Sequence, residues 1–401
     1  MSKSNETTPN VPTLRFAEYT DEWHKYALSD FVTRITRRNK NNESSLPLTI
    51  SAQYGLVDQI TFFNKTVASV DLSGYYLLYN GDFAYNKSYS NDYAWGAVKR
   101  LDKYEKGCLS SLYFVFRPTD KVDSDYLAHY FETNKWHKGI SDIAGEGARN
   151  HGLLNMAVDD YFATKHYLPS LSEQKKIACF LNLITKRIEI QNKIISDLKV
   201  LKKELCNRYF KSVHNDMSLG YITLKDILTE RKEYCSKDGT YTHGTLSKEG
   251  VSPKTERYDR DFLVKNEDKQ YKVTHFNDIC YNPANLKFGV ICRNTYGDLI
   301  FSPIYVTFEI ADTVYPAYIE LFLTNANFIG RIRRYEQGTV YERMAVSSED
   351  FLSYETRMPT YEDQVKFADK IQRIQDKIEL ETSFLNYLQK QRKYFLNAMF
   401  I

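Results

Sequence analysis

The strongest constraint on the fold is an internal repeat. Residues 168–210 align without a gap on residues 358–400, at an offset of 190, with 11 identities in 43 positions. A repeated segment of this length predicts two copies of one structural unit. The chain has 401 residues, and at about 150 residues per domain this suffices for two to three domains.

Both copies carry the spacing of a coiled-coil helix, because their apolar residues follow one another at alternating steps of four and three. These seam residues are Ile177, Leu181, Ile184, Ile188, Ile195, Leu198, Leu205 and Tyr209 in the first copy, and Phe367, Ile371, Ile374, Ile378, Leu385, Leu388, Phe395 and Met399 in the second. Polar interruptions recur at Gln191 and Glu381, and at Lys202 and Arg392. With no Pro or Gly inside, each copy is predicted to form a helix of about 37 residues, roughly 55 Å long.

The segments that precede the two helices also correspond. The run from Asp82 to Asn86 matches that from Asp278 to Asn282, and the run from Ser110 to Phe116 matches that from Ser302 to Phe308. β-branched and aromatic runs bounded by Gly, Asn, Asp and Pro predict strands that begin near Ser111 and Ile304, with helical segments at about 123–137 and 315–334.

The predicted fold class is therefore α+β. It consists of two similar mixed α/β globular domains separated by two long, antiparallel-packed coiled-coil helices. The expected bounds are a flexible tail at 1–13, a first globular domain at 14–165, a first long helix at 166–212, a second globular domain at 213–356 and a second long helix at 357–401.

Composition excludes several classes of protein. Apolar residues make up 42% and charged residues 26%, which is ordinary globular usage and excludes a wholly disordered chain. No run approaches 18 apolar residues and the first residues are polar, so we expect no membrane partner, no secretory signal and a cytoplasmic location. The six cysteines lie far apart without a CxxC pair, and we expect them to be buried thiols.

Enzyme motifs are missing from the sequence. No GxGxxG follows a predicted strand and no GxxxxGK[ST] occurs, so neither a dinucleotide nor a nucleotide phosphate loop is indicated. Asn282-Pro283 resembles part of an amino-methyltransferase motif, but no cofactor loop accompanies it and a turn is the simpler interpretation. The eight histidines show neither HExxH nor a paired spacing with cysteine, so no metal site is predicted.

Candidate nucleic-acid contacts come from basic and amide-rich segments of the globular domains, since Arg and Lys suit phosphate and guanine while Asn and Gln suit adenine. The net charge is only +3, from 54 basic and 51 acidic residues, so any basic surface must be local. In the first domain the candidates are Arg34, Arg37, Arg38, Lys40, Gln53, Tyr54, Lys87, Arg149, Asn150 and His151. In the second they are Arg231, Lys232, His243, Lys287, Arg331, Arg334, Gln337 and Tyr341.

Several motifs together resemble the specificity (S) subunit of Type I restriction-modification enzymes. They are Leu14-Arg15-Phe16, Glu22-Trp23, Leu28-Ser29-Asp30, the helix start from Leu168 to Ala178 and its echo from Met358 to Ala368. The resemblance covers nearly the whole chain, and it is most specific at the first helix start. The echo departs from the pattern, with Met358 for Leu and Val365 for Lys.

The resemblance implies a non-catalytic subunit without a cofactor of its own. Each globular domain would be a target-recognition domain that reads one half of an asymmetric, bipartite site on double-stranded DNA. The helices would set the spacing and dock two methylation subunits, for which S-adenosylmethionine is implied. Restriction and translocase subunits, for which ATP and Mg are implied, would complete the complex.

Two alternatives remain open on the residues alone. The chain could be a coiled-coil scaffold whose tyrosine-rich globular domains bind proteins, since 32 residues are Tyr and this residue suits wet interfaces. It could also be a self-contained methyltransferase, although the cofactor loop that such an enzyme needs is not apparent.

Overall fold

The computed structural model describes residues 10–65, 68–69, 71–90, 93–144, 152–236, 240–248, 250–254, 270–336 and 345–401. These residues form two compact units. Unit 1 holds the described residues up to Asn192 together with Phe384–Ile401, and unit 2 holds Lys193–Ser383. Each long helix contributes one part to each unit, so the units cut across the predicted division into globular domains and helices.

Unit 1 is built from short strands and short helices ahead of the first long helix. Its elements are β1 (His24–Ala27), β2 (Val32–Arg34), β3 (Leu48–Ser51), β4 (Gly55–Asp58), α1 (Gln59–Phe63), β5 (Tyr76–Tyr79), β6 (Phe83–Asn86), β7 (Ala97–Arg100), β8 (Lys106–Leu109), β9 (Phe114–Pro118), α2 (Ser124–Tyr130), α3 (His137–Ile143), α4 (Val158–Ala163) and β10 (Lys165–Leu168). A four-stranded antiparallel sheet has the order β2-β9-β6-β7, and β1-β10, β3-β4 and β5-β8 are antiparallel pairs.

Unit 2 repeats this plan after the first long helix. Its elements are β11 (Tyr221–Thr223), β12 (Leu228–Glu230), β13 (Tyr234–Cys235), β14 (Thr242–Ser247), β15 (Gly250–Pro253), β16 (Tyr271–Thr274), β17 (Ile279–Tyr281), β18 (Ile291–Arg293), β19 (Leu299–Phe301), β20 (Val306–Ile310), α6 (Pro316–Leu323), α7 (Ala326–Ile332), α8 (Ser348–Leu352) and β21 (Glu355–Arg357). The sheet β12-β20-β17-β18 matches the four-stranded sheet of unit 1, and β11-β21 matches β1-β10. The remaining strands form a five-stranded sheet, β13-β16-β19-β14-β15.

The long helices are α5 (Leu171–Asn215, 45 residues) and α9 (Tyr361–Ala398, 38 residues). They run antiparallel inside each unit. In unit 1 the Phe180 ring contacts Phe395 at 4.9 Å, and in unit 2 the Tyr209 ring stacks on Phe367 at 3.6 Å. The predicted fold class is confirmed, but α5 is longer than predicted because the helical pattern continues past Phe210 to Asn215.

Each unit closes its core with the last aromatic residue of one long-helix segment. In unit 1, Phe400 stands two residues beyond the end of α9 and lies 5.2 Å from the Tyr126 ring, with 1% of its surface exposed. In unit 2, Phe210 near the end of α5 lies 5.7 Å from the Tyr318 ring. Phe210 and Phe400 are a pair of the internal repeat, so the same packing occurs twice.

Three local expectations differ from the structure. The predicted strands near Ser111 and Ile304 begin later, at Phe114 and Val306, because turns intervene in which Tyr113 N donates to Ser110 O and Tyr305 N to Ser302 O. The tail predicted at 1–13 is anchored in its last part, since Thr13 Oγ1 donates to the carbonyl of Ala398 at 3.1 Å. Among the cysteines, Cys179 is exposed and Cys235 is half-buried, whereas Cys108, Cys206, Cys280 and Cys292 are buried.

Candidate functional site

The helix starts are held by one glutamine in each copy. The side-chain oxygen of Gln174 accepts a hydrogen bond from Asp123 N at 2.8 Å, and its amide nitrogen donates to Pro169 O at 3.0 Å. Gln364 makes the same two bonds, with Tyr315 N and Pro359 O, at the same distances. Each amide thus ties the start of a long helix to the N-terminal end of the globular helix α2 or α6. The motif on which the family resemblance depends most is therefore a structural joint.

The first helix start carries a further buried ion pair. Glu173, with 1% of its side chain exposed, accepts two bonds from the guanidinium of Arg15, at 2.7 and 2.8 Å. Trp23 Nε1 lies 3.4 Å from the same carboxylate. Because the hydrogen bond to Glu173 outweighs desolvation, the pKa of Arg15 is raised. Three separated motifs of the sequence, around Arg15, Trp23 and Glu173, are brought together here.

Two arginines predicted to contact DNA have an internal partner in the structure. Arg37 donates to the buried carboxylate of Asp82 at 2.7 Å, and Arg117 donates to its other oxygen at 2.6 Å. In unit 2, Arg231 forms a two-pronged bond with the buried Asp278, at 2.8 and 3.0 Å. Asp82 and Asp278 are partners in the repeat, so each unit contains a buried aspartate bound by arginine, an aspartate-arginine anchor, just before β6 or β17 begins.

The other predicted contacts of unit 1 occupy varied positions. Arg34 and Lys40 are exposed and have no ion pair among the described residues. Arg38 stacks on the Tyr76 ring at 4.2 Å, and Lys87 lies 4.8 Å from the Phe114 ring. Gln53 and Tyr54 are exposed at the turn between β3 and β4. Arg149, Asn150 and His151 lie outside the described residues, but Lys87 O accepts from Leu154 N at 3.0 Å, which brings the following segment beside Lys87.

Gln53 also lines a cavity of about 620 Å³ between β7, the segment 131–137 and the end of α9. Its charged residues are Lys99, Glu132, Arg392 and Lys393, of which only Arg392 was noted in the sequence, as a polar interruption of the seam. Burial alone would raise the pKa of Glu132. The hydrogen bond from His129 and the charges of Arg392 and Lys99 outweigh burial and hold this pKa at about 2. Burial lowers the pKa of Lys99. Glu132 is therefore held ionised in a wall that carries three cations, Lys99, Arg392 and Lys393, against this one carboxylate.

The predicted contacts of unit 2 fall into two groups. Lys232 is exposed, His243 on β14 packs edge-on against Tyr271 at 4.7 Å, and Lys287 lies 5.3 Å from the Phe288 ring. Arg331 and Arg334, by contrast, line one cavity of about 520 Å³. Gln337 and Tyr341 lie outside the described residues.

The predicted seam residues all lie on the inward faces of the two long helices. Ile177, Leu181, Ile195, Phe367, Ile371, Ile378, Leu388 and Met399 are buried, and Ile184, Ile188, Leu198, Leu205, Tyr209, Ile374, Leu385 and Phe395 are half-buried. The polar interruptions reach across the helix pair in equivalent ways. Lys202 Nζ donates to Gln375 at 2.9 Å in unit 2, and Arg392 Nε donates to Thr185 at 3.1 Å in unit 1.

A second apolar series lies on the outer faces of the same helices. Its members recur seven residues apart and are about half exposed, whereas the seam residues are covered. They are Leu183 and Ile190, then Ile194 and Leu201, on α5, and Leu380, Tyr387 and Tyr394 on α9. We call these residues the outer stripe. The outer stripe was not predicted from the sequence, because the seam residues already accounted for the heptad pattern.

The described part of the chain shows neither a metal-ligand cluster nor a membrane-spanning helix. No three His, Cys, Asp or Glu side chains there lie close enough to hold a metal ion. Nor is any helix of that part both long and apolar enough to span a bilayer.

Comparison with solved structures decides the fold. The S subunit of a Type I restriction-modification system from M. genitalium aligns with a TM-score of 0.53, at 14% identity over 98% of this chain and 99% of that chain. The HsdS subunit from Thermoanaerobacter tengcongensis aligns with a TM-score of 0.50, at 12% identity over 94% of this chain and 96% of that one. The chain has the fold of a Type I S subunit.

A third structure with this S-subunit fold comes from work on complex assembly and conformational transition of the Type I restriction-modification system. It aligns with a TM-score of 0.55, at 13% identity over 94% of this chain and 96% of that chain. No family model matches the sequence, and no curated protein does either. Since the structural matches span nearly the whole chain, the S-subunit fold includes both units and both long helices.

Proposed function

We propose that this chain is the DNA sequence-recognition subunit of a Type I restriction-modification complex. It binds an asymmetric bipartite site on duplex DNA and docks methylation subunits and restriction subunits. The observation that carries the proposal is the match of nearly the entire chain, with both repeats, to structures of S subunits. The chain itself is non-catalytic, and the chemistry belongs to its partners, with S-adenosylmethionine on the methylation subunits and ATP with Mg on the motor subunits.

The differences between the units support an asymmetric site. Their four-stranded sheets have the same order, but the pairs β3-β4 and β5-β8 of unit 1 correspond to one five-stranded sheet in unit 2. The exposed polar side chains also differ, with Arg34 and Lys40 in unit 1 and Lys232 in unit 2. Because base edges are read by individual side chains, unlike side chains select unlike half-sites.

The outer stripe supports the docking of partner subunits. Apolar residues seven apart and half exposed offer a helical face to a partner helix that carries a complementary heptad pattern. Leu183 and Ile190 provide this face in unit 1, and Ile194 and Leu201 provide it in unit 2. Two such faces fit two methylation subunits.

The test is selection from a random duplex library by the complex of this chain with its methylation subunit, followed by sequencing of the retained DNA. Two short, unlike blocks at a fixed gap are expected. The double variant Arg34→Gln with Lys40→Gln should weaken enrichment of one block. The control is the double variant Lys366→Gln with Lys377→Gln, which removes the same two positive charges from exposed, ion-paired lysines. No enrichment by an intact complex would reject recognition and favour a protein-binding scaffold.

A further inference from the structure

Each unit contains a groove beside the strand pair that lies next to a long helix, which is β1-β10 in unit 1 and β11-β21 in unit 2. In unit 2, two adjoining cavities of about 320 and 520 Å³ share His214 and Arg331 and lie between the end of α5, α7 and β21. In unit 1, a cavity of about 530 Å³ lies beside α3 and β10. Since β10 and β21 correspond at the repeat offset of 190, the two cavities occupy the same corner of the repeated unit. We call them corner groove 1 and corner groove 2, by unit.

Corner groove 2 has an excess of positive charge among its described lining residues. Arg331 and Arg334 line it, and neither forms an ion pair with another described residue, whereas the adjacent Arg333 lies 3.5 Å from Glu336. The wider cavity has a single acidic lining residue, Glu355. Burial, together with the charges of Arg331 and Arg357, lowers the pKa of His214, as expected beside unpaired cations.

Corner groove 1 also has an excess of positive charge, but different residues supply it. Four lysines line it, against two aspartates, and no ion pair joins any of them within the described part of the chain. These residues are Lys25, Lys135, Lys138 and Lys165, with Asp142 and Asp160. Two unlike sets of side chains therefore give both copies of one corner an excess of cations.

The side chains that line the two corner grooves indicate the kind of ligand that the grooves bind. Guanidinium, ammonium and tyrosine hydroxyl groups are the donors that bind DNA phosphates without reading sequence. Tyr221 and Tyr335 supply such hydroxyls in corner groove 2. The large apolar side chains of the linings are buried or half-buried, namely Phe210, Val213, Phe322 and Phe328 in corner groove 2 and Ile143 and Ile401 in corner groove 1.

We propose that the two corner grooves hold the phosphate backbone of the duplex DNA that this chain binds. The inference rests on the proposed function and adds to it the place of sequence-independent contacts. Arg331 and Arg334 then act on phosphate rather than on base edges. Lys25, Lys135, Lys138 and Lys165 join them as contacts that fix the position of each unit on the duplex.

The experiment measures the affinity of the full chain, in complex with its methylation subunit, for a labelled duplex of random sequence at several KCl concentrations. The slope of log affinity against log salt is negative, and each lost phosphate contact makes it less steep by about 0.9. Lys135→Gln with Lys138→Gln, and Arg331→Gln with Arg334→Gln, should each reduce the steepness of this slope by up to about 2. Lys366→Gln with Lys377→Gln removes the same charge from exposed ion pairs of α9 and should leave the slope unchanged.

The possible outcomes separate this inference from the proposed function. Equal slopes for the groove variants, the control and the unchanged chain, in a complex that still selects its bipartite site, would overturn the corner grooves alone. Loss of the methylation subunit from the groove variants, with the slope of the remaining complex unchanged, would make the grooves protein-docking surfaces and also overturn the proposal. If the unchanged complex bound no duplex at low salt, the proposed function would fail and the grooves with it.

Discussion

At the scale of single residues, buried polar side chains have specific hydrogen-bond partners, and the buried His166 is an example. Its Nδ1 lies 2.8 Å from the Tyr130 hydroxyl, and its Nε2 lies 2.8 Å from Thr164 Oγ1. Because the Thr164 hydroxyl donates to Tyr161 O, its oxygen accepts from Nε2–H, and Nδ1 is left to accept from Tyr130. The neutral imidazole is thus fully satisfied, and burial lowers its pKa to about 4.

The stability of unit 1 should therefore depend on pH through His166. Since the pKa is about 4 in the folded chain and about 6.5 when unfolded, the unfolded chain binds the proton first as pH falls. The contribution of His166 to the free energy of unfolding is about 3 kcal/mol. It is fully present above about pH 6.5 and is lost as the pH falls towards 4. Urea unfolding between pH 4.5 and 7.5 measures it by tryptophan fluorescence, because Trp23, Trp95 and Trp136 all belong to unit 1.

The control for this pH dependence is His24→Gln, which changes an exposed histidine of the same unit and should leave the slope of stability against pH intact. His166→Gln should flatten that slope whatever its effect on absolute stability. A slope that persisted in His166→Gln would assign the dependence to other groups.

At the scale of elements, the end of each long helix completes a hydrophobic core. Phe400 is 1% exposed among the aromatic residues of unit 1, and Phe210 is 7% exposed in unit 2. Removing a buried phenylalanine leaves a cavity that costs about 3–5 kcal/mol. The helix pair therefore stabilises the globular parts as well as connecting them.

Phe400→Ala should destabilise unit 1 by about 3–5 kcal/mol, and Phe210→Ala should destabilise unit 2 by a similar amount. Tryptophan fluorescence follows unit 1 during unfolding, and amide hydrogen exchange follows the strands of both units. Tyr394→Ala, at a side chain that is 60% exposed, should change neither. Equal loss of protection in both units from either phenylalanine variant would contradict the division into two cores.

The sequence predicted the elements well wherever a periodic pattern decides the structure. The heptad seam of α5 and α9 is a local signal, and it indicated both helices and their pairing. The aspartate-arginine anchors were not predicted, although Asp82 and Asp278 recur in the repeat, because the pairing of these buried carboxylates with Arg37 and Arg231 arises from tertiary packing. Corner groove 1 was missed for the same reason, since Lys25, Lys135 and Lys165 are far apart in the chain and no local run of charge marks them, whereas Arg331 and Arg334 of corner groove 2 were among the predicted contacts.

At the scale of the whole molecule, the proposed function makes the helix pair a spacer for the two halves of the DNA site. The seam provides two continuous helices without Pro or Gly, so an insertion can extend both without breaking either. Four added residues lengthen a helix by about 6 Å, close to two base pairs at about 3.4 Å each. An insertion of four also keeps the apolar pattern nearly in phase, as a local unwinding of the coiled coil.

Four residues inserted near Ser196 in α5, with a matching insertion near Asn386 in α9, should therefore widen the gap of the selected DNA site by about two base pairs. Both blocks of the site should keep their sequence, because the recognition surfaces of the units are unaltered. The library selection reads the gap and the blocks in a single experiment. An insertion in α5 alone is the control, since it shifts the seam of one helix against the other and should weaken selection without giving a new gap. An unchanged gap in the doubly inserted chain would mean that the helices do not set the spacing, even if the chain recognises DNA.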